Sequence, residues 1–143
     1  MFMKKHTKLI CLLLIVLFLF SSCFSIRELR YYKDKDNYVT TTGIITKISY
    51  NEDHSILYLS IDHKDQLYSD NNFKIIPENF TIAKNKGIEN QIHVGDTITF
   101  VSAPRYFGDG YVMPILALSI DGNEFLSFEE GYPNFIKWLK KHP

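Results

Sequence analysis

The sequence predicts a mainly β domain of five to six strands with one short helix, preceded by an N-terminal signal or anchor segment and followed by a short C-terminal helix. Three observations carry this prediction. Apolar residues make up 45% of the chain and aromatic residues 15%, which suits a buried core and half-buried strands. Several short runs alternate apolar and polar residues between polar turns, as strands do. The N-terminal region instead holds one unbroken apolar run.

The N-terminal segment has the three parts of a secretory signal. A basic head, an apolar run and a pair of small residues follow one another at 1–8, 9–20 and 21–22. The basic end stays on the cytoplasmic side, the apolar run partitions into lipid, and only small side chains fit the signal peptidase. We therefore expect residues 1–22 to direct export, which places the rest of the chain outside the cytoplasm, in the cell envelope.

The four residues Phe20-Ser21-Ser22-Cys23 resemble a bacterial lipobox. The resemblance implies that the thiol of Cys23 receives diacylglycerol and becomes the new N-terminus, with fatty acids such as palmitate holding it in the membrane. An uncleaved anchor is the alternative, because the 18 residues from Leu9 to Ile26 reach the lower limit for a spanning helix. Simple secretion is a third.

Residues 23–37 are predicted to be a charged tether. The stretch 27–37, RELRYYKDKDN, is dense in charges of alternating sign. Such a segment is typical of a solvated linker or a short helical stalk. We therefore expect a solvated segment between the membrane and the folded part, and not a docking site.

The charge of the body argues against nucleic acid as a partner. Three of the 16 basic residues lie in the basic head, so 13 basic residues face 16 acidic ones in the rest of the chain, a net charge of about −3. A mildly acidic domain does not attract polyanions at long range. The sequence therefore predicts no nucleic-acid partner.

The body, residues 38–130, consists of predicted strands separated by turns. The first strand, 38–50, is rich in β-branched residues and contains Gly43, which marks a bulge or sharp coil. Pro77 suits the first turn of a helix and Gly87 can end one, so a short helix is predicted between them. The other five strands are predicted at 56–62, 73–76, 96–102, 111–120 and 124–128.

This order of three strands, a short helix and two or three further strands resembles the OB-fold, a five-stranded barrel with a helix between its third and fourth strands. Gly43 in the first strand carries the resemblance, together with Val94-Gly95-Asp96 before the fourth strand and Thr97-Ile98-Thr99-Phe100 within it. An SH3-like barrel and an open β-roll are the alternatives.

Residues 131–143 are predicted to form a short amphipathic helix. Phe135, Trp138 and Leu139 share one helical face, and lysines occupy the others. The apolar face could pack its tryptophan on the barrel or on the tether. The alternative is that the helix lies on an anionic membrane surface.

The loop between the fourth and fifth strands supplies the candidate ligand-binding residues, Arg105, Tyr106, Phe107 and Tyr111. OB-folds commonly contact ligands there. An arginine can bind a carboxylate or phosphate through two hydrogen bonds, and aromatic rings stack on sugars or bases. The alternative is that the rings cap the open end of the barrel, with a turn at 108–110.

No catalytic or metal-binding constellation is recognisable in the sequence. His54, His63 and His93 each stand alone, without a second His or Cys at the spacing of metal ligands and without a nucleophile. Both cysteines, Cys11 and Cys23, lie in or directly after the leader, so the body has no disulfide. We therefore expect no enzyme activity, no metal and no cofactor.

These observations together predict a membrane-anchored lipoprotein that faces outside the cytoplasm and serves as a non-catalytic binding or accessory module. Its expected partners are the membrane and an envelope protein. Two alternatives remain open: an enzyme or inhibitor of envelope polymers acting through the loop 105–111, and an adaptor of a membrane complex.

Overall fold

The computed structural model describes residues 2–108 and 110–142, and the side chains of residues 2–5 and 20–25 lie outside that description. Helices and strands follow one another along the described chain, with short 3-10 turns at Lys35–Asn37 and Ile88–Asn90. The elements are α1 Phe2–Lys33, β1 Val39–Tyr50, β2 Leu57–His63, β3 Asn72–Ile75, α2 Pro77–Asn85, β4 Thr97–Ser102, β5 Met113–Ile120, β6 Asn123–Leu126 and α3 Phe128–Lys141.

Five strands close a barrel. Antiparallel ladders join β3 to β2, β2 to β1, β1 to β4 and β4 to β5, and a short parallel ladder between β3 and β5 completes the ring. β6 is a sixth strand that pairs with β5. The prediction of a mainly β fold built on a small barrel is confirmed. With α2 between β3 and β4, the barrel is compatible with an OB-like fold.

β1 belongs to two ladders, and Gly43 lies where they meet. Residues 39–44 pair with β4, and residues 43–50 pair with β2. A Cβ atom at Gly43 would lie 2.5 Å from the carbonyl oxygen of Asp62, which is closer than carbon and oxygen tolerate. The β1–β2 register then shifts between Ile45 and Lys47. Glycine and this bulge together let one long strand coil around the barrel.

The buried apolar residues form two clusters. The barrel interior and the inner face of α2 share the larger one, in which every strand takes part. The second lies between the C-terminal end of α1, α3 and the β4–β5 loop, and we call it the junction cluster. Its fully buried members are Tyr32, Ile76, Ala103, Phe107, Leu116 and Phe135.

α3 begins at Phe128, earlier than predicted, because a capping box fixes its first turn. The Oγ atom of Ser127 accepts a hydrogen bond from the backbone N–H of Glu130 (3.3 Å), and the Glu130 carboxylate accepts one from the N–H of Ser127 (3.0 Å). The Nζ atom of Lys86 lies 2.7 Å from the same carboxylate. The Lys86 hydrogen bond, followed by those from Ser127, lowers the pKa of Glu130 to about 2.

The segment predicted to be a solvated tether differs from that expectation. α1 runs through it to Lys33, and Tyr32 is completely buried in the junction cluster. The hydroxyl of Tyr132 donates a hydrogen bond to the carbonyl oxygen of Lys33 at 2.8 Å. The physical reason is that Tyr32 finds apolar partners on α3, so this end of the helix is packed against the barrel.

Candidate functional site

The N-terminal half of α1 presents apolar side chains in every direction. Ten large apolar residues between Leu9 and Leu19 are each between 41% and 76% exposed, and the thiol of Cys11 is exposed among them. A helix that is apolar all round is stable only in apolar surroundings. The side chain of Cys23, the predicted lipidation site, lies outside the described residues.

Where side chains are described, no helix is at once long enough and apolar enough to cross a bilayer.

Arg105 connects the β4–β5 loop to α1. Its Nη2 atom lies 3.4 Å from Oε1 of Glu28, and its Cζ atom lies 4.6 Å from the ring centroid of Tyr31. The Arg105 side chain is 39% exposed, so the ion pair contributes at most about 1 kcal/mol to stability. The guanidinium of Arg105 is therefore already bound by Glu28 and Tyr31 of α1. Asp109, the acid that follows Arg105 in the loop, lies outside the described residues.

Phe107 is part of the hydrophobic core. It is 1% exposed, and its ring contacts those of Phe135 and Trp138 edge to face, with centroids 5.1 and 5.5 Å apart. The Nζ atom of Lys74 lies 5.1 Å from the centroid of the same ring. This ring therefore packs against α3 within the junction cluster.

Tyr111 is the exposed ring of the loop, and Tyr106 beside it is partly buried against the barrel core. Tyr111 is 80% exposed, and its ring meets that of Tyr106 edge to face at a centroid distance of 5.6 Å. The hydroxyl of Tyr106 accepts a hydrogen bond from Oγ of Ser69 at 3.1 Å. We call Ser69, Tyr106 and Tyr111 the tyrosine patch. It offers a flat aromatic face and two hydroxyl groups to a ligand.

The direction of the strands places the tyrosine patch at the α1 end of the barrel. β1 starts there, directly after α1, and its antiparallel neighbours β2 and β4 end there. The loops that follow those two strands contain Ser69 and Tyr106, respectively. A ligand on the patch would consequently lie close to the junction between α1 and the barrel.

The three histidines of the body are separate from one another in their contacts. His63 packs against the rings of Tyr68 and Phe73, and its buried Nδ1 atom has no hydrogen-bond partner among the described residues. His54 contacts Tyr50, and the exposed His93 lies 3.7 Å from the carboxylate of Asp96. Within 2–108 and 110–142, no three His, Cys, Asp or Glu side chains are grouped so as to hold a metal ion.

The polar contacts that hold α3 against α2 could not be predicted from the sequence. Asn79 on α2 is completely buried, and its Nδ2 atom donates a hydrogen bond to the carbonyl oxygen of Gly131 at 3.0 Å. Its Oδ1 atom accepts one from Nδ2 of Asn134 at 3.1 Å. Ser127 and Glu130, three residues apart, were the readable sequence signal for this helix.

Comparison of the chain with family models, curated proteins and solved structures finds no significant match.

Proposed function

We propose that the protein is a membrane-anchored lipoprotein of the cell envelope that faces outside the cytoplasm, and that its barrel is a non-catalytic binding or accessory module. The observation that carries this proposal is the exposed apolar surface of α1 between Leu9 and Leu19. A surface of this kind requires lipid or a translocation channel around it.

Cys23 follows that apolar run after Phe20, Ser21 and Ser22, at the position where a lipobox has its modified residue. Diacylglycerol on the sulfur, together with an amide-linked acyl chain, would give an anchor of several chains, which is stable where a single chain is not. The helix continues for ten residues to Lys33 and ends in the buried Tyr32 contact. An anchor at Cys23 would therefore hold the barrel within a few helical turns of the lipid surface.

Cys23→Ser should abolish incorporation of labelled fatty acid and leave the chain at the larger, uncleaved size, because serine cannot form the thioether. The measurement is metabolic labelling with a palmitate analogue, followed by gel electrophoresis of the membrane fraction. Cys11→Ser is the matched control, since its thiol lies within the apolar run, and it should be labelled like the parent chain. Unchanged labelling, size and membrane retention in Cys23→Ser would contradict the lipoprotein assignment.

A second candidate function, binding of an envelope polymer, is favoured by the tyrosine patch. Outside α1, Tyr111 is the most exposed large apolar side chain of the described residues. Tyr106 supports it edge to face and is itself held by Ser69. Aromatic rings that are fixed in this way can stack on the apolar faces of sugars, and their hydroxyl groups can bind sugar hydroxyls.

Replacing both rings, Tyr106→Ala with Tyr111→Ala, should weaken pelleting with purified peptidoglycan by about tenfold, because the exposed Tyr111 ring that would stack on a sugar and the Tyr106 ring that supports it are both lost. The melting temperature should stay close to that of the parent chain, because Tyr111 is exposed and Tyr106 is only partly buried. Tyr58→Ala, on the outer side of β2, is the control and should pellet normally. Equal pelleting of the double variant and the control would exclude this surface as the binding site.

A further inference from the structure

We propose that the C-terminal end of α3, together with the last turns of α1, forms a basic surface that rests on anionic lipid headgroups and so fixes the orientation of the barrel at the membrane. This surface, which we call the basic base, consists of Arg27, Arg30, Lys137, Lys140 and Lys141. The inference deepens the proposed anchoring and rests on it.

α3 runs past the end of α1, where the two helices are in contact. Its residues contact earlier and earlier positions of the chain as α3 proceeds toward its C-terminus. The contacts are Tyr38 with Phe128 (5.4 Å between ring centroids), Lys33 with Tyr132 (2.8 Å, hydroxyl to carbonyl oxygen) and Tyr32 with Phe135 (5.2 Å between ring centroids). The order of these contacts indicates that α3 runs back along the path of the chain from Tyr38 to Tyr32, so its last turns, beyond Phe135, lie on the α1 side of the barrel.

The lysines at the end of α3 can be placed by their distance along the helix from the contact between Phe135 and Tyr32. Lys137 and Lys141 follow Phe135, which lies level with Tyr32, by about 3 to 9 Å at the helical rise per residue. The same distance from Tyr32 along α1 reaches residues 26–30. Lys137, Lys140 and Lys141 thus come level with Arg27 and Arg30, about one or two turns above Cys23.

The basic base is exposed to solvent and is not neutralised by neighbouring acidic residues. All five side chains of the basic base are exposed. The acidic groups of the two helices lie elsewhere or are engaged: Glu28 pairs with Arg105, and Glu129 and Glu130 occupy the opposite end of α3. The chain after the basic head has a net charge of about −3. Positive charge is therefore concentrated on one face of a domain that is otherwise acidic.

An anionic membrane fits the surroundings of the basic base better than an acidic protein does. Ile26, 66% exposed, lies on α1 beside the basic base, and Cys23, the proposed site of the acyl chains, lies about one turn further toward the N-terminus. Basic residues bordering an apolar segment match the order of headgroups and acyl chains in a lipid leaflet. Each lysine near an anionic surface shifts the docked-to-free ratio by about fivefold. The anchor keeps the barrel close to the membrane, and the lysines fix its orientation there.

The chain contains a single tryptophan, Trp138, which lies on α3 between Lys137 and the last two lysines and therefore reports on docking. The full chain would be reconstituted into vesicles of phosphatidylcholine, with or without phosphatidylglycerol. Quenching of Trp138 by headgroup spin-labelled lipid would be measured in both. We expect stronger quenching in the anionic vesicles, decreasing in high salt because exposed charges are screened.

Lys140→Gln with Lys141→Gln should reduce the docked-to-free ratio by about 25-fold and so narrow the difference in quenching between the two vesicle types. Lys47→Gln with Lys84→Gln removes two charges from the part of the barrel near the β1–β2 hairpin and should leave the quenching unchanged. Quenching that is equal in both vesicle types, or unaffected by loss of the α3 lysines, would overturn the inference in favour of a protein partner or none.

Flotation of the same vesicles separates this inference from the proposed anchoring. Both lysine variants should float with the lipid, since neither substitution changes Cys23, the proposed site of the anchor. A chain that floats but shows no charge-dependent quenching refutes only the docked orientation. A parent chain that does not float with lipid refutes the anchor and the docked orientation together.

Discussion

Gly131→Ala should lower the free energy of unfolding by about 3 kcal/mol and the melting temperature by roughly 10 °C. Gly131 is buried where α3 crosses β5, and an added Cβ would overlap the carbonyl group of Leu116. That group is backbone within a strand and cannot rotate away as a side chain could. The higher helix propensity of alanine offsets only about 1 kcal/mol of the overlap.

The substitution should also disturb the polar contacts on the other side of α3, because Asn79 binds the carbonyl oxygen of Gly131. Thermal unfolding of the detergent-solubilised chain, followed by circular dichroism, measures the effect. Gly110→Ala is a suitable control, since its Cβ would meet only Val112 at an ordinary 3.6 Å, and it should change stability by less than about 0.5 kcal/mol. If the two variants melted together, α3 would not pack on β5 as described.

Tyr32→Ala should cost about 4 kcal/mol and release the end of α1 from the barrel. The Tyr32 ring packs edge to face on Phe135, and its hydroxyl lies 2.9 Å from the carbonyl oxygens of both Arg105 and Tyr106. The barrel core is a separate cluster, so the variant should keep its β structure and become sensitive to trypsin at the exposed Arg27 and Arg30. Tyr31→Ala, which truncates the half-buried neighbour, should cost clearly less.

Because the hydroxyl of Tyr32 is buried, we also expect the free energy of unfolding to decrease at alkaline pH. Burial, more than the nearby Glu28, raises the pKa of Tyr32 far above the usual 10.0, and burial likewise raises the pKa of Tyr38. The unfolded chain then ionises first, so this stabilisation is complete below pH 10 and decreases as the pH rises toward the folded-state pKa. Urea unfolding of Tyr32→Phe should show a shallower decrease above pH 10 than the parent chain. An identical alkaline slope would show that Tyr32 ionises freely in the folded state.

The barrel could be predicted from the sequence because its signals are local. Alternation of apolar and polar residues gave the strands, Gly43 indicated the irregular point of the first strand, and Pro77 and Gly87 bounded the short helix. The order of these elements along the chain then indicated the OB-like closure. Such signals depend on backbone preferences of neighbouring residues, which the sequence shows directly.

The junction between α1 and the barrel could not be predicted in the same way. Tyr31 and Tyr32 lie in a charged segment, and Tyr32 is buried by partners more than seventy positions away, in the β4–β5 loop and α3. The roles of Arg105 and Phe107 depend on the same distant contacts. The early start of α3 has a local signal in Ser127 and Glu130, three residues apart, although α3 also contains Pro133. Proline is tolerated inside this helix because tertiary packing holds it.

The path of β1 also has a consequence for the order of assembly. Its second half can pair with β2 through a short hairpin, but its first half pairs Val39 with Ser102, more than sixty positions away. The ring is completed only when Phe73 meets Met113. Chains dominated by such distant pairings have high contact order and fold on the order of milliseconds to seconds. A nascent chain of this kind stays open until nearly all of it has been made, which would leave time for the proposed export through a narrow translocation pore.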